Sequence, residues 1–281
     1  VLSKRINGFD MHYVEHGCGR PLVLVHGSFT DLRFWEMQVA AFAQRHRVFS
    51  VSMRPYWPNA QQTPVGTFSV PQYADDVAGF IAALDVGPVD LCGHSLGGHV
   101  ALRVAQAVPE LVRALVLAEP GGPLAPDLIP SSGPGLPTSP PPVNPMVEAA
   151  RLIAANDVDA GLSSLVASAC RPGAWEVCPE FYKTTARDNA TTLIAQAVEV
   201  RPPITLADVQ SITQPVFLIG GADSPAPFPT ILDALEANLA DVQRNRIPKG
   251  THLMNIENPT AFNDTVLAFL SRHAAMTWSA A

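Results

Sequence analysis

The chain has 281 residues, of which 47% are hydrophobic and 15% charged, with a formal net charge of −7. This supports a large core, read as one α/β domain carrying an insertion, with a small molecule as its partner. The lack of a basic patch argues against nucleic acid, and no apolar run approaches the ~20 residues of a membrane span. The stretch Val1-Leu2-Ser3-Lys4-Arg5 has no signal-peptide core, so a cytoplasmic location is expected.

Residues 11–15 alternate as a short strand, closed by the turn Gly17-Cys18-Gly19-Arg20-Pro21. Leu22-Val23-Leu24-Val25 is a continuous apolar run, as a strand buried on both faces of a parallel sheet requires. It ends in His26-Gly27-Ser28-Phe29. Residues 31–45 carry Phe34, Trp35, Val39 and Phe42 at helical spacing behind Asp31. The next strand, 47–53, runs into Arg54-Pro55-Tyr56-Trp57-Pro58-Asn59, rigid and aromatic. Open α/β sheets place ligand contacts at such carboxyl ends. Tyr56 and Trp57 are therefore candidates to line a pocket, with Phe29 and His94, or else to pack the loop down. Ser69 is expected to cap a helix with Pro71 in its first turn, running through Ala74, Val77, Ile81 and Leu84.

A further apolar run, Val89, Leu91 and Cys92, stops at Gly93, and from Leu96 a helical period takes over until Pro109. Residues 113–118 are another buried strand, ending in Glu119-Pro120-Gly121-Gly122. From 123 to 145, proline, glycine and serine mark a long irregular connection. Helices are expected at 145–156 and 158–170, with one long helix over 179–199. This stretch interrupts the strand–helix alternation, so residues 121–210 read as a helical cap and residues 1–120 and 211–281 as the core. Strand 215–220, a helix over 228–239, strand 242–247 and a terminal helix after Glu257-Asn258-Pro259 complete an α/β pattern. The four cysteines have no metal-ligand spacing; Cys92 reads as strand core, and a Cys170–Cys178 bridge would be unusual in a reducing compartment.

The chemistry concentrates in Gly93-His94-Ser95-Leu96-Gly97, a G-x-S-x-G pattern set between strand and helix. Such a turn lifts a serine hydroxyl clear of the sheet and aims the Leu96 N–H, at the helix N-terminus, toward a developing oxyanion. A hydroxyl needs an imidazole to take its proton, and that imidazole needs an acid. Gly250-Thr251-His252, beyond the last strand, supplies the histidine in the chain order Ser…acid…His. Two carboxylates compete for the acid: Glu119, which ends a buried strand and needs a partner there, and Asp223, in the loop after strand 215–220.

With these motifs the chain resembles an α/β-hydrolase fold protein almost end to end: a mostly parallel central sheet, helices on both faces and a cap inserted mid-chain. The resemblance implies Ser95 as nucleophile, His252 as general base, Glu119 or Asp223 as acid, and Ser28 and Leu96 as oxyanion donors. The commonest family pattern carries Asp in a G-x-x-D segment, which Gly220 aligns with Asp223 and Gly221 with Ser224. A subset takes the acid from the end of the preceding strand, where Glu119 stands, and this second placement is preferred. Neither metal nor organic cofactor is implied. The expected activity is hydrolysis of a small, fairly apolar carboxylic ester or lactone. C–C bond hydrolysis of a diketone-type substrate and a non-catalytic small-ligand receptor are the alternatives.

Overall fold

A computed structural model describes residues 1–59, 69–129 and 144–273. Eight strands form one sheet: β1 (Leu2–Ile6), β2 (Phe9–His16), β3 (Arg20–Val25), β4 (His46–Val51), β5 (Val89–His94), β6 (Val112–Ala118), β7 (Val216–Gly221) and β8 (Val242–Ile247). Their spatial order is β1-β2-β4-β3-β5-β6-β7-β8. β2 runs antiparallel to β1 and β4, and all other neighbours are parallel. Side chains alternate across the sheet with period two. Val23, Val25, Leu115 and Leu117 enter one apolar core, while Leu22, Leu24, Val116 and Ala118 enter the other.

Helices cover both faces. α1 (Glu36–Phe42), α2 (Val70–Leu84) and α3 (Leu96–Ala107) precede β6. Between β6 and β7 lie α4 (Pro145–Ala154), α5 (Val158–Ala169), α6 (Ala174–Val177), α7 (Glu180–Asn189), α8 (Thr192–Gln196) and α9 (Leu206–Gln210). α10 (Phe228–Glu236), α11 (Met254–Glu257) and α12 (Pro259–Arg272) close the chain. Among the described residues, no helix is long and apolar enough to cross a membrane.

Several local expectations need correction. β1 is not among the expected elements: four of its five residues are wholly or partly exposed at the sheet edge, so it carries no buried alternation to read. The helix expected over 31–45 begins as a 3-10 turn, Leu32–Trp35, before α1. Ser69 stands at the N-cap of α2, but its side chain makes no capping bond. The long helix expected over 179–199 breaks into α7 and α8. At the break, Asn189 Nδ2 donates to Thr185 O and Thr192 Oγ1 to Asn189 O, local bonds that compete with the helical ladder. All four cysteines are free. The proline-rich connection over 123–145 lies outside the described residues from 130 to 143.

Candidate active site

The G-x-S-x-G glycines are where β5 and α3 collide. A Cβ on Gly93 would overlap the carbonyl of Gly97, and one on Gly97 would overlap the carbonyls of Val25 and His26. This close approach forces Ser95 into φ 53° and ψ −117°, a sparsely populated conformation that a packed scaffold must hold. The Ser95 backbone is pinned on both sides: its N–H donates to Ala118 O at 3.0 Å, and its carbonyl accepts from Gly121 at 2.8 Å. Leu96 is the first residue of α3, so its N–H belongs to the helix end that lacks intrahelical acceptors.

Glu119, one residue beyond β6, is buried with φ 42°. Its Oε2 accepts from His252 Nδ1 at 2.7 Å, and its Oε1 accepts from the Gly221 N–H at 2.8 Å. The neighbouring Gly220 makes room: a Cβ there would sit 2.9 Å from Glu119 Oε1. The Gly220-Gly221 pair, which left two placements open in the sequence, thus forms the seat of the Glu119 carboxylate. Asp223 lies exposed beyond β7, where its N–H donates to Gly250 O at 2.9 Å.

The loop bearing His252 is held at several points. Thr251 donates through its N–H and its hydroxyl to Glu257 Oε2, and Glu257 pairs with Arg171 at 2.6 Å. His94 Nε2 donates to the His252 carbonyl at 2.8 Å. Phe228 stacks on the His252 ring, with centroids 3.8 Å apart and planes 11° from parallel. Burial, and then the adjacent His252, keep His94 well below the usual imidazole pKa. His26, buried beneath the site, is lowered to about 4 by desolvation. It donates through Nδ1 to Gly27 O and accepts the Met53 N–H at Nε2.

Ser95 and His252 open onto one cavity of about 130 Å³, whose floor includes Gly27, Ser28, Phe29 and His94. Its walls come from the inserted helices, with Leu165, Val166 and Ala169 on α5, Met146 on α4 and Tyr182 on α7. Of the four pocket candidates, Phe29 and His94 line this cavity. Tyr56 and Trp57 do not line this cavity. Tyr56 is fully buried, packs edge-on to His26, and its hydroxyl accepts from Gln196 Nε2. Trp57 lies under the Arg33 guanidinium and donates its backbone N–H to Asn189 Oδ1. Both join the core to the inserted helices instead. Tyr182 is among the aromatics that the sequence puts near the pocket, but the α5 wall escapes it, since apolar residues at helical spacing look alike whether they face a core or a cavity. Among the described residues, no group of three or more His, Cys, Asp or Glu side chains could hold a metal ion.

A sequence profile of the "Alpha/beta hydrolase family" matches residues 22–265. The "3-oxoadipate enol-lactonase 2" of Acinetobacter baylyi is 24% identical over 273 residues, covering 93% of each chain. The "(E)-2-((N-methylformamido)methylene)succinate hydrolase" of the same organism is 32% identical over 121 residues, 42% of this chain and 45% of that protein. The chain spans less than half the length of the first curated relatives it matches. An enol-lactonase from Burkholderia xenovorans LB400 shares the fold, with a TM-score of 0.74 at 22% identity over 96% of this chain and 99% of that one. The profile runs from β3 into α12, across the elbow serine, the Glu119 seat and the His252 loop, and the chain belongs to the alpha/beta hydrolase family.

Proposed function

We propose that this hydrolase cleaves a small, fairly apolar carboxylic ester or lactone through an acyl-enzyme, with the inserted helices within 121–210 acting as its cap. The observation carrying this reading is the His252 Nδ1–Glu119 Oε2 bond of 2.7 Å, made at the edge of the cavity that Ser95 also lines. With Nδ1 engaged, Nε2 is the ring nitrogen left to act as base. Ser95 Oγ attacks the carbonyl while His252 takes its proton, and Glu119 steadies the imidazolium. The backbone N–H groups of Leu96 and Ser28 hold the tetrahedral oxyanion, each worth about 10²–10³ in kcat. His252 then protonates the leaving alcohol and activates the water that releases the acid.

The test is labelling of Ser95 by a fluorophosphonate, combined with turnover of p-nitrophenyl acetate and butyrate, simple lactones and a diketone. Ser95→Ala should abolish labelling and lower ester turnover by at least ~10⁴-fold. Cleavage of the diketone alone would favour the C–C bond reading, and labelling without any turnover would favour a receptor.

A further inference from the structure

Among the described residues, no aspartate, glutamate, lysine or arginine lines the cavity. The titratable groups lining it are His94, His252, Cys170 and Tyr182. Desolvation keeps His94 neutral, lifts the Cys170 thiol to about 11 and raises the Tyr182 phenol well above its ordinary value. His252 is committed to Glu119. The arginines on and beside the inserted helices are already paired: Arg33 with Asp31 and Asp188, Arg151 with Glu148, Arg171 with Glu257, Arg187 with Asp159 and Glu180, and Arg201 with Glu199. Residues 60–68, 130–143 and 274–281 contain no lysine, arginine or histidine at all, so those segments cannot bring a cationic side chain to the site. A carboxylate carried on the acyl group into this space would lose its water and gain no cationic partner, a cost that disfavours the charged form strongly.

We infer that the group seated in this cavity is an uncharged acyl chain of about benzene's size, and that half-esters and lactones of dicarboxylic acids are rejected. The volume sets the size: a dry apolar cavity of about 150 Å³ holds benzene, and this one measures about 130 Å³. This separates the chain from two relatives whose names contain dicarboxylates, a substituted succinate and 3-oxoadipate. The assignment rests on the serine hydrolase reading and adds charge and size to it. Leu165 and Ala169, one turn apart on α5, form the wall that sets the limit.

Methyl esters test it directly, because methanol is too small to fill the space and the acyl group must occupy it. Methyl 4-methylpentanoate and monomethyl succinate differ by the exchange of an isopropyl group for a carboxylate of nearly equal shape. The expected result is a kcat/KM at least ~100-fold higher for the neutral ester, because the carboxylate would be buried unpaired. Leu165→Arg, folded by circular dichroism, should narrow that ratio at least tenfold. Turnover of the two esters within threefold of each other would overturn the inference. So would no turnover of either while Ser95 still takes a fluorophosphonate. Loss of that labelling as well would remove the hydrolase reading itself.

Discussion

The carboxylate of Glu119 bridges two partners, accepting from His252 Nδ1 at 2.7 Å and from the Gly221 N–H at 2.8 Å. One oxygen is thereby fixed by backbone while the other orients the imidazole. Glu119→Gln would offer an amide N–H to Nδ1 and favour the tautomer with its proton on Nε2, the wrong one for a base. A kcat loss of roughly 10³–10⁴ is expected, the size seen when a triad acid is turned into its amide elsewhere. Asp223→Asn should stay within threefold of the parent, because Asp223 is exposed and tied to Gly250 by its backbone alone. Steady-state kinetics on an activated ester decide it, and the reverse pattern would return the acid role to Asp223.

His94 holds the same histidine from behind. Its Nε2–H donates to the His252 carbonyl, its ring lies 4.6 Å from that of His252, and Phe34 packs at 4.8 Å. His94→Phe keeps a ring against Phe34 but drops the donor. A displacement of about 1 Å at a catalytic group can cost 10²-fold, so a 10- to 100-fold fall in kcat with little change in KM is expected. His94→Gln, which can still donate, should recover part of that loss. Equal kcat for the Phe variant and the parent would show that packing alone matters there.

A second contact set ties the insertion to the core. The buried Asp31 carboxylate accepts from Arg33 and from Asn189 Nδ2, while Asn189 Oδ1 accepts the Trp57 N–H. Asn189→Ala leaves the Trp57 N–H and one side of Asp31 without their partner, which typically costs about 1–3 kcal/mol. Urea unfolding should register that loss, and hydrogen exchange should quicken first in α7. Exchange that quickens uniformly over the whole chain would mean the contact stabilises the fold globally and does not anchor the insertion.

What the sequence could and could not convey follows from the range of each interaction. The elbow, the apolar runs of β3, β5 and β6, and a carboxylate ending a buried strand are local patterns, so Ser95, Glu119 and His252 stood out as candidates. The Gly220-Gly221 ambiguity was not local. The contact that bears on it forms only when β6 and β7 pair and Glu119 Oε1 reaches the Gly221 N–H. Tyr56 and Trp57 misled for the same reason: their partners, Gln196 and Asn189, lie more than a hundred residues away. The stack of Phe228 on His252 has no sequence signal, because α10 and the His252 loop meet only after β7 and β8 pair.

Acid should unfold this protein early, for a reason set by histidines buried neutral. Desolvation lowers His26 and His46 to about 4 and His99 to about 3. In the unfolded chain all three return to about 6.5, so between pH 6.5 and 4 the unfolded state binds protons that the native state refuses. Stability from these groups is complete above about pH 6.5 and is lost as pH falls. Asp90 acts in the opposite sense, because burial raises its carboxyl to about 6 against the pull of Arg113, and native protonation adds stability below that point. His94, which burial also holds well below the ordinary imidazole range, acts in the same sense as the other histidines, and four groups against one leave a net loss on the order of 6 kcal/mol between pH 7 and 5. Urea titrations at those two pH values measure it directly. His99→Gln keeps an acceptor for Arg103, which donates to His99 Nε2 at 3.3 Å, yet it cannot ionise. That variant should lose roughly 2 kcal/mol less than the parent over the same interval. A parent whose midpoint does not move from pH 7 to 5 would mean that these imidazoles find protons, and water, inside the fold.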